Sequence, residues 1–424
     1  MNIIVRLFII IVIIIFVMSN VVKQYRHYSS SFWKTQPVMH FSFFNNHRWK
    51  AQQKISNKLP KAKVLPSHSI KMQLEDVQSE NYSLEKLEGI VNLINNFYME
   101  VGGFKYSYTP EFYRWLTYKD VVLTIKDDDN TTNTHNNTIA TMNAKPINLS
   151  INNTELQKCM YVDNLCIDTK YRKQGLIENL ITSMLIVTGK QADSEELISF
   201  IYKKEHTPLP YEHITKYSNY YIAISERLGD LIKPVFTSYK LMKVTTTISL
   251  ELKQSVYEYY MTNQRMHTSY TNMESFKDFN HKFIDSEYVK TYIFYDETQN
   301  TSIDGFFSIL DSHYSIDLST FDTFSSTKYF EHREDQDLKV CELLVFNSTN
   351  HLTFNPEIVD NRANEMLKQI REFDLLLISD LSETNQLLLN RIEQKVQIAD
   401  TYLHMYNYSV PNILPNDKTS LLLM

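Results

Sequence analysis

The stretch NLCIDTKYRKQGLIENLI, residues 164–181, decides how this chain is read. An apolar run ends at Ile167, a basic turn holds Arg172, Lys173 and Gln174 ahead of Gly175, and apolar residues then recur at Leu176, Ile177, Leu180, Ile181, Met184 and Leu185. The pattern predicts a strand, a tight turn and an amphipathic helix, with Gly189 closing the helix. A helix N-terminus offers unpaired N–H groups and the positive end of a dipole, so this turn suits a phosphate. The spacing R-x-x-G is weak evidence alone, because a solvated turn between core elements looks the same. Its place between a strand and a strong helix gives it weight.

Working outward, a helix is expected from Leu84 to Tyr98, capped by Ser83, and a shorter one from Pro110 through EFYRWLTY. VVLTI (121–125), TIATMNA (138–144), INLSI (147–151) and CMYVDNLCI (159–167) read as strands, and KDDDNTTNTHNN as a long hairpin loop. The second half repeats this order: a helix at 250–261, a hairpin from YVKTYIFYD and IDGFFSIL, a central strand LKVCELLVF, and a helix NRANEMLKQIREF. Two similar α+β units of roughly 190 residues are therefore expected in a chain too long for one core.

Composition narrows the function. A net charge of −6 argues against general nucleic-acid binding, and three cysteines supply neither a disulfide framework nor a metal cluster. The run from Ile3 to Met18, interrupted by Arg6, is apolar over about 16 residues, just short of a usual bilayer span. No small-residue cleavage site follows it, so an uncleaved membrane anchor is favoured over a signal peptide. A core helix at a terminus would have little to pack against.

FWKTQPV (32–38) is too short and mixed for a helix or an alternating strand, but it closely resembles the F-W-x-T-Q-P-V signature of the N-myristoyltransferases. FKYSYTPEFYRWLT (104–117), VDNLCIDTKYRKQGLIENLI (162–181), DLLLISDL (374–381) and LHMYNY (403–408) resemble further family motifs in the same order. The resemblance runs from about residue 25 to the end. It implies an α+β fold of two fused GNAT-like acyltransferase halves related by a pseudo-twofold, here 23–235 and 236–424 behind an anchor at 1–22. It also implies transfer of myristoyl from myristoyl-CoA, as co-substrate and without a metal, to the N-terminal glycine of a protein or peptide.

Roles carry over by position. Phe32 and Trp33 are implied to contact the nucleotide end of the cofactor, although an aromatic cluster pinning the segment is equally compatible. Asn164 and Leu165 stand where backbone amides form the oxyanion hole. Cys166 and Ile167 continue the cofactor strand, and Arg172, Lys173, Gly175, Leu176 and Ile177 stand where CoA phosphates are cradled. Tyr98, Phe104, Tyr106, Tyr108 and Asp163 are implied to line the peptide site. The terminal carboxylate of Met424 is implied as general base; an apolar tail, TSLLLM, fits a buried end, and a docked strand fits it as well.

Four departures bear on the acceptor. An acidic loop that receives a basic peptide residue is reduced to MEVGG (99–103), and Asp163 replaces an Asn. Lys204, Glu205 and His206 stand where the family has Thr-Ala-Gly, and a glycine-rich segment before LHMYNY is lost. If side chains from 204–206 fill the glycine pocket, a different acceptor, or non-catalytic acyl-CoA or lipid binding, becomes the better reading. A monomer is expected, with the catalytic part cytoplasmic, and a composition rich in Asn and Ile with only 7 Gly fits an AT-rich genome, which suggests a large DNA virus or a parasite.

Overall fold

The computed structural model describes residues 32–39, 52–61, 63–98, 104–129, 137–154, 157–191, 197–224, 239–296, 302–317, 337–347, 356–392 and 395–423, with scattered helical positions between 5 and 19. The first half contains β1 (Gln53–Lys54), β2 (Ile70–Glu75), α1 (Leu84–Phe97), β3 (Phe104–Tyr106), α2 (Pro110–Leu116), β4 (Val121–Asp127), β5 (Thr138–Ser150), β6 (Gln157–Ile167), α3 (Leu176–Gln191), β7 (Ser199–Glu205) and β8 (Thr215–Ala223). The second contains β9 (Tyr239–Val244), α4 (Leu250–Gln264), β10 (Ser269–Asn272), α5 (Phe276–Phe283), β11 (Val289–Asp296), β12 (Ser302–Asp317), β13 (Asp337–Asn347), α6 (Pro356–Gln369), β14 (Leu375–Ser379), α7 (Glu383–Arg391), β15 (Lys395–Tyr406), β16 (Tyr408–Ser409) and β17 (Thr419–Ser420).

Local chemistry starts the helices. The Ser83 hydroxyl accepts from the Lys86 amide, Thr109 from Phe112 and Ser249 from Leu252, each satisfying an N-terminal donor that the helix leaves free. Pro110 opens α2, where its missing N–H costs nothing. Along α1 the apolar positions Leu87, Ile90, Val91 and Ile94 are all buried, each contributing roughly 1.5–3 kcal/mol of transfer free energy.

Two expectations change. Gly189 does not close α3, which continues to Gln191. TIATMNA and INLSI form one strand, β5, running through Pro146. Strand β4 leaves β5 at Ala144 and β10 joins only at Asn148, so that edge is open at Pro146 and a missing N–H removes no ladder bond.

The halves share an order. In the first, an antiparallel β4–β5–β6 meander leads through α3 to β7, which pairs parallel with β6; in the second, β11–β12–β13 leads through α6 to β14, parallel to β13. Each crossover helix covers its own core, α3 with Leu180, Ile181 and Met184, and α6 with Val359, Ala363 and Met366. The last strands are exchanged: β15 of the second half lies between β7 and β8, and β8 of the first half pairs with β14. One sheet therefore runs β6-β7-β15-β8-β14-β13 through both halves.

No helix among the described residues is long and apolar enough to cross a membrane. Those described between 5 and 19 are helical, and their side chains are exposed, Phe8 and Ile15 by more than 60%.

Candidate active site

Strand β6 is where regular pairing breaks. Thr141 opposes Cys166 and Asn143 opposes Asp163, so Asn164 and Leu165 together face the single residue Met142. Such a bulge frees backbone groups from the ladder. Asn164 takes φ +48°, a left-handed conformation that Asn tolerates better than most residues. Its N–H donates to Asp163 Oδ1 at 2.9 Å, and the Tyr98 hydroxyl reaches the same oxygen at 3.3 Å.

The bulge opens on a cleft of about 200 Å³ with walls from both halves. Tyr98, Phe104, Tyr106, Tyr108 and Asp163, singled out in the sequence, all line it. The rings form a chain of edge contacts, Tyr98 to Tyr106 at 5.4 Å and Tyr106 to Tyr108 at 5.3 Å, which continues to Tyr314 of the second half at 5.6 Å. Pairing of β3 with β12 fixes that seam. Burial pushes the Tyr98 hydroxyl well above its ordinary pKa, so it acts as a neutral donor.

Three cleft-lining charges were not singled out, or were misplaced. Alternation along β7 turns Lys203 and Glu205 into the cleft, so of the stretch 204–206 only Glu205 lies on its wall. His206 sits beyond the end of the strand with φ +62°. Glu342, on β13, faces them. Burial raises the Glu342 pKa, Asp163 and Glu205 add to the shift, and Lys203 opposes it. For Lys203 burial acts to lower the pKa, but Tyr161, Tyr217, Glu205 and Glu342 outweigh it, and the ammonium is held well above its ordinary range. Lys203 itself is exposed to the solvent of the cleft. A lone glutamate inside the apolar run KVCELLVF was the available signal for Glu342.

On the other side of the sheet, the basic turn leads into α3. Lys173 has φ +66° and Gly175 φ +78°, and nothing lies within 4 Å of a Cβ built on Gly175. The first intrahelical bond runs from Asn179 N to Gly175 O, leaving the amides of Leu176, Ile177 and Glu178 without helical partners. Arg172 is committed to protein, its guanidinium donating to the carbonyls of Ile167 and Phe97, both at 3.1 Å. Lys63 pairs with Glu178 in the first turn of α3 and lies 4.9 Å above the Phe32 ring.

The remaining cofactor positions divide by side-chain direction. Ile177 is half exposed, whereas Cys166, Ile167 and Leu176 are buried in the core and can meet a ligand only through backbone. Phe32 is buried against Trp33, which packs on Tyr211 at 4.9 Å, so the aromatic segment is pinned to the first half. Val38 bridges to Tyr406, and the Tyr406 hydroxyl donates to Gln36 at 2.8 Å.

The tail docks. Strand β17 pairs with β10, Leu422 N donates to Thr271 Oγ1 at 2.8 Å, and Leu421, Leu422 and Leu423 line the cleft. Met424 lies outside the described residues, as do 99–103. No group of three or more His, Cys, Asp or Glu side chains able to hold a metal occurs among the described residues.

A bulged central strand and a helix N-terminus with unpaired amides thus accompany a cleft shared by two similar halves. Residues 53–210 match the sequence model for the N-terminal domain of myristoyl-CoA:protein N-myristoyltransferase. The fold of the chain is that of Saccharomyces cerevisiae N-myristoyltransferase solved with bound myristoyl-CoA: one such structure aligns at TM-score 0.65 and 16% identity over 93% of this chain and 99% of that one. A second, with myristoyl-CoA and inhibitors, aligns at 0.68 and 17% over 93% and 96%. Among curated proteins none matches.

Proposed function

We propose that this protein transfers myristoyl from myristoyl-CoA to the N-terminal glycine amine of a protein or peptide. The observation that carries this reading is the Asn164–Leu165 bulge opening on a cleft beside a helix N-terminus with an unobstructed Gly175. The amine attacks the thioester carbonyl directly, and bulge donors stabilise the charge that develops on oxygen. The Met424 carboxylate takes the amine proton; its support is the docked apolar tail, which brings Leu423 to the cleft wall. Acyl-CoA binds the first half (23–235) and the acceptor lies against the second (236–424), two GNAT-like units joined by exchanged strands in a monomer.

Residues 1–22 anchor the enzyme to a membrane with its catalytic part in the cytoplasm, a reading supported by the exposed apolar helical positions. Co-flotation with vesicles that persists when the chain starts at Val22 refutes the anchor.

Lys203 and Glu205 favour a second reading, in which the acceptor amine belongs to something other than an N-terminal glycine. They place two charged side chains in the cleft where a small amine is to react. Incubating the chain with labelled acyl-CoAs, a glycine-peptide library and a panel of other amines separates the two readings. Acyl-CoA binding with no acylated product from any amine leaves a non-catalytic lipid-binding protein.

A further inference from the structure

We propose that Lys282 is a carbamylation site, where its side-chain amine adds reversibly to dissolved carbon dioxide. This goes beyond acyl transfer and does not rest on it. Lys282, near the end of α5, lines a cavity of about 50 Å³, room for one small molecule. Lys119 and Lys145 line the same cavity, and Leu422 of the docked tail closes one side. Two of the three ammoniums already have partners. Lys119 pairs with Asp278 at 2.6 Å and with Glu274 at 3.6 Å. Lys145 donates to the Leu116 carbonyl at 2.7 Å and lies 3.8 Å from Asp120. Lys282 makes no hydrogen bond or ion pair among the described residues, and feels Asp120 and Asp278 only at longer range. As an ammonium it is a third positive charge in a half-buried site. Burial and Lys145 bring its pKa down to about 7, so about half of it is free amine at neutral pH. An ordinary lysine holds less than roughly one part in a thousand as free amine there.

The free amine is the form that reacts. Its lone pair forms an N–C bond to the carbon of CO2, one C=O π pair moves onto oxygen, and the nitrogen gives a proton to water. The product is a carbamate, so the site carries an anion in place of a cation. Repulsion from Lys145 and Lys119 becomes attraction, and two anionic oxygens offer acceptors to the neighbouring N–H groups. Asp278 and Glu274 do not cancel this, because Lys119 holds both.

The test uses the full chain labelled with nitrogen-15 and equilibrated near pH 7 with carbon-13 bicarbonate. A protein-bound carbon resonance coupled to nitrogen is expected, and it vanishes in Lys282→Met. Alkylation of the wild type traps carbamates as esters for peptide mass spectrometry. At least about tenfold more label is expected on Lys282 than on any other lysine, given its larger share of free amine. No resonance, or one without nitrogen coupling, overturns the proposal; the latter leaves only bicarbonate held by charge. A coupled resonance that persists in Lys282→Met overturns it too, by assigning the carbamate to another amine. If Lys282→Met does not fold, the trapping result decides, and label spread evenly over the lysines refutes the site.

Discussion

Replacing Gly175 by valine separates backbone strain from loss of a ligand site. At φ +78° an L-residue costs about 1–2 kcal/mol, and the open space around the glycine means that no steric clash adds to this. Stability therefore falls by that amount and the melting temperature by a few degrees, at roughly 2–4 °C per kcal/mol. The same open space is where a phosphate must approach the free amides of Leu176 and Ile177, and two added methyls stand in its path. Losing one charge-assisted contact costs about 1.5–3 kcal/mol, which weakens CoA binding at least tenfold at 1.4 kcal/mol per decade. Calorimetric titration of CoA well below the melting point reads the second effect without the first. Lys173→Gly is the control: it relieves the strain at φ +66° and raises the melting temperature while removing one positive charge. If Gly175→Val lowers the melting temperature but leaves the CoA affinity unchanged, the phosphate does not sit at this turn.

Removing Leu423 and Met424, or adding a residue after Met424, should lower turnover by about 100-fold with acyl-CoA affinity intact; full activity in an extended chain assigns the base to another group. The buried imidazole of His404, which accepts from Leu209 N at 3.1 Å, has its pKa lowered to about 3 by burial and by His213. The unfolded chain binds that proton near pH 6.5, so stability from this site is complete above 6.5 and is lost as pH falls toward 3. Thermal melts between pH 6.5 and 4 should flatten in His404→Gln, and an unaltered slope assigns the acid sensitivity elsewhere. Burial, with Lys145 adding, lowers the pKa of Lys282 to about 7, outweighing Asp120 and Asp278. Its folded pKa lies below the unfolded value near 10.5, so stability rises with pH from 7 upward. Lys282→Met should raise the melting temperature at pH 7 and reduce that rise; a lower melting temperature means that the ammonium is well paired.

The elements most legible in the sequence are those whose local chemistry and final environment agree. Ser83 and Pro110 mark helix starts because capping is decided within one turn, and the structure keeps both. The separation of 138–144 from 147–151 failed for the converse reason: a proline such as Pro146 interrupts a strand only where a neighbouring strand needs its N–H, and neighbours are a tertiary matter. The same limit hid the exchange of β8 and β15, since alternation along LHMY says which side chains share a face and nothing about the flanking strands. Within the site, the turn before Gly175 and the tyrosines beside Asp163 were readable from motifs. Lys203 and Glu205 required the phase of β7, because the pleat selects alternate residues and a one-residue offset selects the wrong set.

The exchange of terminal strands constrains how the chain is made. During synthesis β7 and β8 emerge first, but the strand that belongs between them, Lys395–Tyr406, follows only after the rest of the second half up to it. Until it arrives, β7 and β8 present unpaired edges that can recruit other chains. A ribosome that stops before residue 395 therefore releases more than a shortened enzyme: it releases a first half with a slot open in its sheet. The first half cannot finish folding on the ribosome ahead of the second. Quality control that recognises exposed strand edges will judge this protein by whether Lys395–Tyr406 was delivered.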